Sequence, residues 1–125
     1  MMTQEIKNEL KYRMYFFVPY NISPIQQAIQ AGHAALEYAV KYYNTANQDF
    51  IDFMKNDKTW IILNGGTTNS KGKPGANYRS DLEPYRGSLD NIAQQLTMND
   101  IKYSLFFEPD LNDALTAVCF LADIS

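Results

Sequence analysis

One cysteine, one histidine, one tryptophan and no run of consecutive lysines or arginines are what this chain has least of. A lone Cys119, set inside "LTAVCFLADI", cannot close an internal disulfide. That excludes a disulfide-stapled scaffold, fits a reduced cytoplasmic setting, and leaves Cys119 as core packing rather than a nucleophile. One histidine and one cysteine do not make a zinc site of the usual spacing, so neither a metal nor a cofactor is expected. Apolar stretches stop at about ten residues, too short to span a bilayer. The opening "MMTQEIKNELKYR" lacks the basic-then-apolar order of a secretory signal, so no membrane partner is expected. A net charge of −3 without a basic stripe argues against extended nucleic acid, although a few local donors suffice for a small anion. Neither a G-x-x-x-x-G-K-S loop nor a G-x-S-x-G elbow is present.

What is there is one domain's worth of sequence, 125 residues and 46% apolar, read as a single domain over 1–125. "YRMYFFVPY" (12–20) is apolar on both faces and suits a central strand. "NISPIQQ" then signals a helix start, with Ser23 as cap, Pro24 in the first helical position and Gln26 completing a capping box. Along that helix Ile25, Ala28, Ile29, Gly32, Leu36, Ala39, Val40 and Tyr43 recur at helical spacing and are expected to face the core. Gln26, Gln30, His33 and Glu37 form a polar stripe along its border. A short helix over 44–57, capped by Thr45 or Asn47, leads to a second buried strand over 58–66, and this crossover predicts two parallel strands. Residues 64–88 hold five of the six glycines and two prolines, a long polar loop of the kind that serves as a lid or an assembly arm. A helix over 88–100, a strand over 101–109 and a turn into a fourth strand complete the chain. The fold class expected is α/β, a mixed four-stranded sheet flanked by helices in two or three layers.

In such a sheet ligands bind beyond the carboxyl ends of the parallel strands. Here those ends are "YNIS", "NGGTTNS" and "EPDLND". Asn21, Ser23, Gln26 and Gln30 are therefore candidate ligand contacts, with the amide-rich first turn of the helix suited to an anion. Asn64, Gly65, Gly66, Thr67 and Thr68 supply donors and close backbone approach. Lys71 and Arg79 supply cations for a phosphate, and Tyr20, Tyr78 or Tyr85 a face for a base. His33 with Glu37 one turn on is either an oriented acid or base or a satisfied structural pair, and Glu108 is a second carboxylate for either role.

"QAGHAALEYA", a strand before it and a later "SLFFE…LTAVCFLAD" resemble the type 2 peptidyl-tRNA hydrolase family, whose hallmark is a Q-C-S-H-A-A stretch on the first helix. Gln30, His33, Ala34 and Ala35 take the hallmark positions, with Gly32 in place of the serine; the family's acidic strand-end residue falls on Glu108 and a family threonine on Thr116. The resemblance implies that family's mixed sheet and adds Thr116 to the candidate site. The family's two helix-start lysines fall on Pro24 and Gln26, a departure shared with small phage-encoded members that the chain also resembles. With two phosphate-attracting cations missing, the expectation moves from tRNA to a small nucleotide-like ligand, ADP-ribose-like or a cyclic nucleotide, captured in the cytoplasm of a host cell as a counter to immune signalling. The alternative is a hydrolase, of the family's own kind or acting on a phosphodiester, with His33, Glu37 and Glu108 activating water. A homo-oligomer through the loop or an edge strand is also compatible with the sequence.

Overall fold

The structure, a computed structural model, describes residues 11–44, 48–67, 88–111 and 113–124. In chain order they form β1 (Tyr12–Val18), α1 (Pro24–Tyr42), α2 (Gln48–Asp52) running on into a wide π turn (Phe53–Asp57), β2 (Trp60–Asn64), α3 (Ser88–Met98), β3 (Ser104–Glu108), a short 3-10 turn (Pro109–Leu111) and β4 (Ala114–Asp123). The strands make one open mixed sheet in the order β2-β1-β4-β3. β1 pairs parallel with β2, with Met14 opposite Trp60 and Val18 opposite Asn64. β4 runs antiparallel to both β1 and β3, so β1, β2 and β3 all point the same way. Their carboxyl ends share one edge of the sheet.

Strand alternation divides the core in two. Tyr12, Met14, Phe16 and Val18 pack with Ala117 and Cys119 beneath α1 and α2. Phe17, Leu105, Phe107, Leu115 and Val118 pack beneath α3 through Leu89, Ala93 and Leu96. The fold is mixed α/β, with helices on both faces of the sheet.

α1 starts as its sequence predicts. Ser23 is extended, at φ −65° and ψ 156°, and its Oγ accepts the Gln26 N–H at 3.2 Å while Pro24 opens the helix. Only half of the capping box forms, because the Gln26 side chain turns to Gln30 instead of reaching back to the cap. The expected core face of α1 is corrected. Gln30, Ala31, Ala34 and Tyr38 face the sheet, whereas Ile25, Ile29, Leu36, Val40 and Tyr43 are exposed on the opposite side. The physical reason is size: the sheet already presents Met14, Phe16 and Phe106 to the helix, and alanines at 31 and 34 let the backbone settle onto those large side chains without overpacking. β2 is corrected as well. It is an edge strand, with Trp60, Ile62 and Leu63 exposed, because β1 pairs with it on one side and α1 lies over β1, β4 and β3.

Candidate functional site

β3 alternates, so Ser104, Phe106 and Glu108 all face α1. Each meets it. Ser104 Oγ donates to the Ala34 carbonyl at 2.8 Å, the Phe106 ring stacks on His33 with centroids 4.4 Å apart, and Glu108 Oε1 accepts from Gln30 Nε2 at 2.7 Å. Gln30 is completely buried. Its amide donates its second hydrogen to Gln26 Oε1 at 3.2 Å, and its own Oε1 accepts from Thr116 Oγ1 at 2.6 Å. A carboxylate only accepts, so the amide nitrogen must face Glu108 and the oxygen must face the Thr116 hydroxyl.

Thr116 reaches Gln30 through a β-bulge. Phe106 pairs with Ala117 but Phe107 pairs with Leu115, leaving Thr116 as the extra residue on β4. Without the bulge, strict alternation would aim Thr116 toward α3, since Ala117 already points to α1. The bulge puts both on the α1 side, and Thr116, itself completely buried, also approaches the Phe106 carbonyl at 3.4 Å. The buried chain therefore runs Thr116, Gln30, Glu108, with every donor of the amide satisfied; such a network rigidifies its members.

Beyond Glu108 opens a cleft of about 380 Å³, lined by Ile22, Gln26, Ile29, His33, Glu108, Asp110 and Leu111. Isoleucine and leucine form its walls, and two carboxylates, an amide and an imidazole converge on it, the composition of a small-molecule site. Glu108 Oε2 accepts the Asp110 N–H at 3.3 Å, so each carboxylate oxygen is held by one partner of the chain. The backbone of the same turn is pinned by the Asp113 N–H on the Glu108 carbonyl at 2.9 Å, with Asp113 in a left-handed conformation at φ 58°.

Of the residues singled out in the sequence, Gln26, Gln30, His33, Glu108 and Thr116 come together here, the first four within the cleft or directly behind it. Glu37 is exposed on α1, and no hydrogen bond joins it to His33 among the described residues. Ser23 is engaged as the helix cap, and Asn21 is exposed in the turn ahead of it. The end of β2 lies elsewhere. Gly65 N donates to the Val18 carbonyl at 2.7 Å, Tyr20 N to the Gly66 carbonyl at 2.8 Å, and Asn64 Oδ1 accepts from Gly66 N, so this segment is laced to the end of β1. Asn64 lines a separate hollow of about 230 Å³ with Val18, Tyr20, Gln27, Ile62 and Leu63, while Thr67 is exposed. The space beside the two glycines is taken by the chain itself: a Cβ on Gly65 would overlap Leu89 and approach Phe17 Cβ to 3.1 Å, and Gly66, at φ +95°, sits against Ser88. Thr68, Lys71 and Arg79 lie outside the described residues, as do Tyr78, Tyr85 and the caps at Thr45 and Asn47.

Sequence reasoning missed the walls of the cleft. Ile29 was expected in the core, and Ile22, Leu111 and the stacking of Phe106 on His33 had no periodic signal to reveal them. The Gln26, Gln30, His33 stripe did carry one, being a polar row where a helix of this composition has no need of one. Burial pushes the Cys119 thiol up to about 12, so it supplies no thiolate near neutral pH. Among the described residues no group of three or more histidines, cysteines, aspartates or glutamates is placed to hold a metal ion, and no helix is long and apolar enough to cross a membrane. No protein-family model matches the chain, and no curated protein matches it significantly.

Proposed function

We propose that the chain is a small-ligand-binding protein that captures a nucleotide-type signal, ADP-ribose-like or cyclic, on a scaffold of the type 2 peptidyl-tRNA hydrolase kind. The observation that carries this reading is the Thr116, Gln30, Glu108 network, which fixes a carboxylate at the lip of the 380 Å³ cleft. Paired carboxylates at 108 and 110 are acceptors for the hydroxyls of a ribose or the amino group of a base, and Gln26 offers both a donor and an acceptor beside them. Capture is favoured over cleavage because both Glu108 oxygens are already held by Gln30 and Asp110, and His33 lies flat against Phe106 with no carboxylate hydrogen-bonded to it among the described residues. Such a constellation is a rigid set of hydrogen-bonding groups, not an assembled base and nucleophile. In support of the scaffold, the sheet is mixed and four-stranded, and residues 30, 33, 108 and 116, which the family resemblance selects, are neighbours.

The hydrolase reading has one observation in its favour: His33 and Glu108 border the same cleft, within reach of one bound molecule. A single experiment separates the two. Purified protein is incubated with ADP-ribose, cyclic dinucleotides and an N-blocked aminoacyl-tRNA, freed of unbound ligand and heat-denatured, and both fractions are analysed by mass spectrometry. An intact nucleotide released by heating, with recovery lowered about 10-fold or more by Glu108→Gln or His33→Ala, is the result expected. A cleaved product that disappears in His33→Ala moves the assignment to hydrolysis, and no retained or altered molecule overturns both.

A further inference from the structure

We propose that the outward face of α1 is a self-association seam through which two copies of the chain pair as antiparallel helices. Ile25, Ile29, Gly32, Leu36, Val40 and Tyr43 follow one another at steps of three and four residues, which keeps them on one side of the helix. That side is opposite the one that Gln30, Ala31, Ala34 and Tyr38 press onto the sheet. Ile25, Leu36 and Val40 expose 74%, 67% and 83% of their surface, and Ile29 and Tyr43 are also exposed. A helix that is apolar on both of its faces is expected to be covered on both. The stripe amounts to an apolar patch on the order of 600 Å² per copy, as large as the largest that monomeric proteins usually show. Two copies that cover it completely bury at most about 1,200 Å², where the range of specific, stable interfaces begins.

A second copy is the occupant that the residue sizes fit. In an antiparallel pair with its two-fold axis at the level of Ala34, Gly32 faces the partner's Leu36, Ala28 faces the partner's Val40, and Ile29 faces the partner's Ala39. Large meets small in each of these inner layers, Ile25 meets the partner's Tyr43 at the two ends, and the same patch serves both copies as two-fold symmetry requires. A parallel pair would set Gly32 against the partner's Gly32 and leave a gap. Packing among the described residues does not account for Gly32: no described side chain lies within 4 Å of a Cβ built there, its φ is not positive, and glycine inside a helix is about 0.5–1 kcal/mol less favourable than alanine. Close approach of a second helix accounts for it. No charged side chain lies in the stripe, so it offers nothing to an acidic or basic partner surface.

The test is sedimentation velocity on the full chain from about 1 to 100 μM, a span over which a modest dimer dissociates. The expected species is a dimer, at twice 14.3 kDa. Leu36→Glu and Gly32→Phe should each raise the dimer dissociation constant about 30-fold or more, with an unchanged circular dichroism spectrum because Leu36 is exposed and a Cβ at Gly32 meets no described side chain. Gly32→Cys mixed with Leu36→Cys should cross-link under oxidation to a far greater extent than either alone; Cys119 is buried and does not interfere. A monomer at every concentration, association that survives both substitutions, or cross-linking as strong in the separate cysteine variants as in the mixture overturns the proposal.

Discussion

Replacing Thr116 by valine keeps the shape of the side chain and removes one hydroxyl, the donor that lies 2.6 Å from Gln30 Oε1. Both residues are completely buried, so water does not take the place of that donor. An unsatisfied buried acceptor costs about 1–3 kcal/mol, against a net gain of only about 1 kcal/mol for an ordinary hydrogen bond. For a chain of this length each kcal/mol moves the melting temperature by about 4 °C, so Thr116→Val should lower it by about 4–12 °C. Gln30→Leu removes the amide from the other side, leaving Thr116 Oγ1 its second acceptor, the Phe106 carbonyl, and leaving Glu108, which borders the cleft, to water. The double variant replaces both partners by apolar groups and should be less destabilised than the two single losses together, by about 1 kcal/mol or more. Calorimetry or urea denaturation of the four proteins closes the cycle. A loss below about 0.5 kcal/mol for Thr116→Val, or strict additivity, would refute the claim that this network holds Glu108 in place.

Alkaline stability gives a further expectation. Burial raises Cys119 from its ordinary value of 9.0 to about 12, and raises Tyr38 above its ordinary 10.0, burial first and then the nearby Asp49 carboxylate. Between pH 9 and 12 the unfolded chain loses the thiol proton while the folded chain keeps it, so stability is full below pH 9 and falls as pH rises, by at most about 1.4 kcal/mol per pH unit per proton; a urea midpoint that stays level from pH 8 to 11 contradicts the burial of both groups. In the native protein at pH 8, Cys119 should react with an aromatic disulfide reagent only as fast as the chain unfolds, which a stopped-flow or manual time course reads directly. Gly65→Ala places a methyl against Leu89 and Phe17 in the core beneath α3 and should destabilise by about 1–3 kcal/mol, measured by thermal melting; an unchanged melting temperature would show that the end of β2 is not packed as described.

Much of the architecture was legible because it is written in local chemistry. Ser23 and Pro24 mark the start of α1, "YRMYFF" is too apolar for anything but a central strand, and a strand, a helical segment and a strand in succession imply a parallel β1 and β2. The polar row Gln26, Gln30, His33 was legible as well, since helical periodicity alone puts those side chains on one side. Periodicity does not, however, say which of two apolar faces meets the sheet. Ile25, Leu36 and Val40 score as core by hydrophobicity, yet Ala31 and Ala34 take that place, because Met14, Phe16 and Phe106 fill the space and leave room only for small side chains. Nor does any local pattern announce the bulge that turns Thr116 to Gln30, or the contact that joins Gln30 to Glu108 across 78 positions of sequence. Helix ends, strand identity and the parallel crossover are decided by neighbours in the chain, so the sequence by itself determined them. The buried face of α1, the exposure of β2 and the meeting of Gln30, Glu108 and Thr116 depend on which surfaces compete for the same space, and only the tertiary structure decided those.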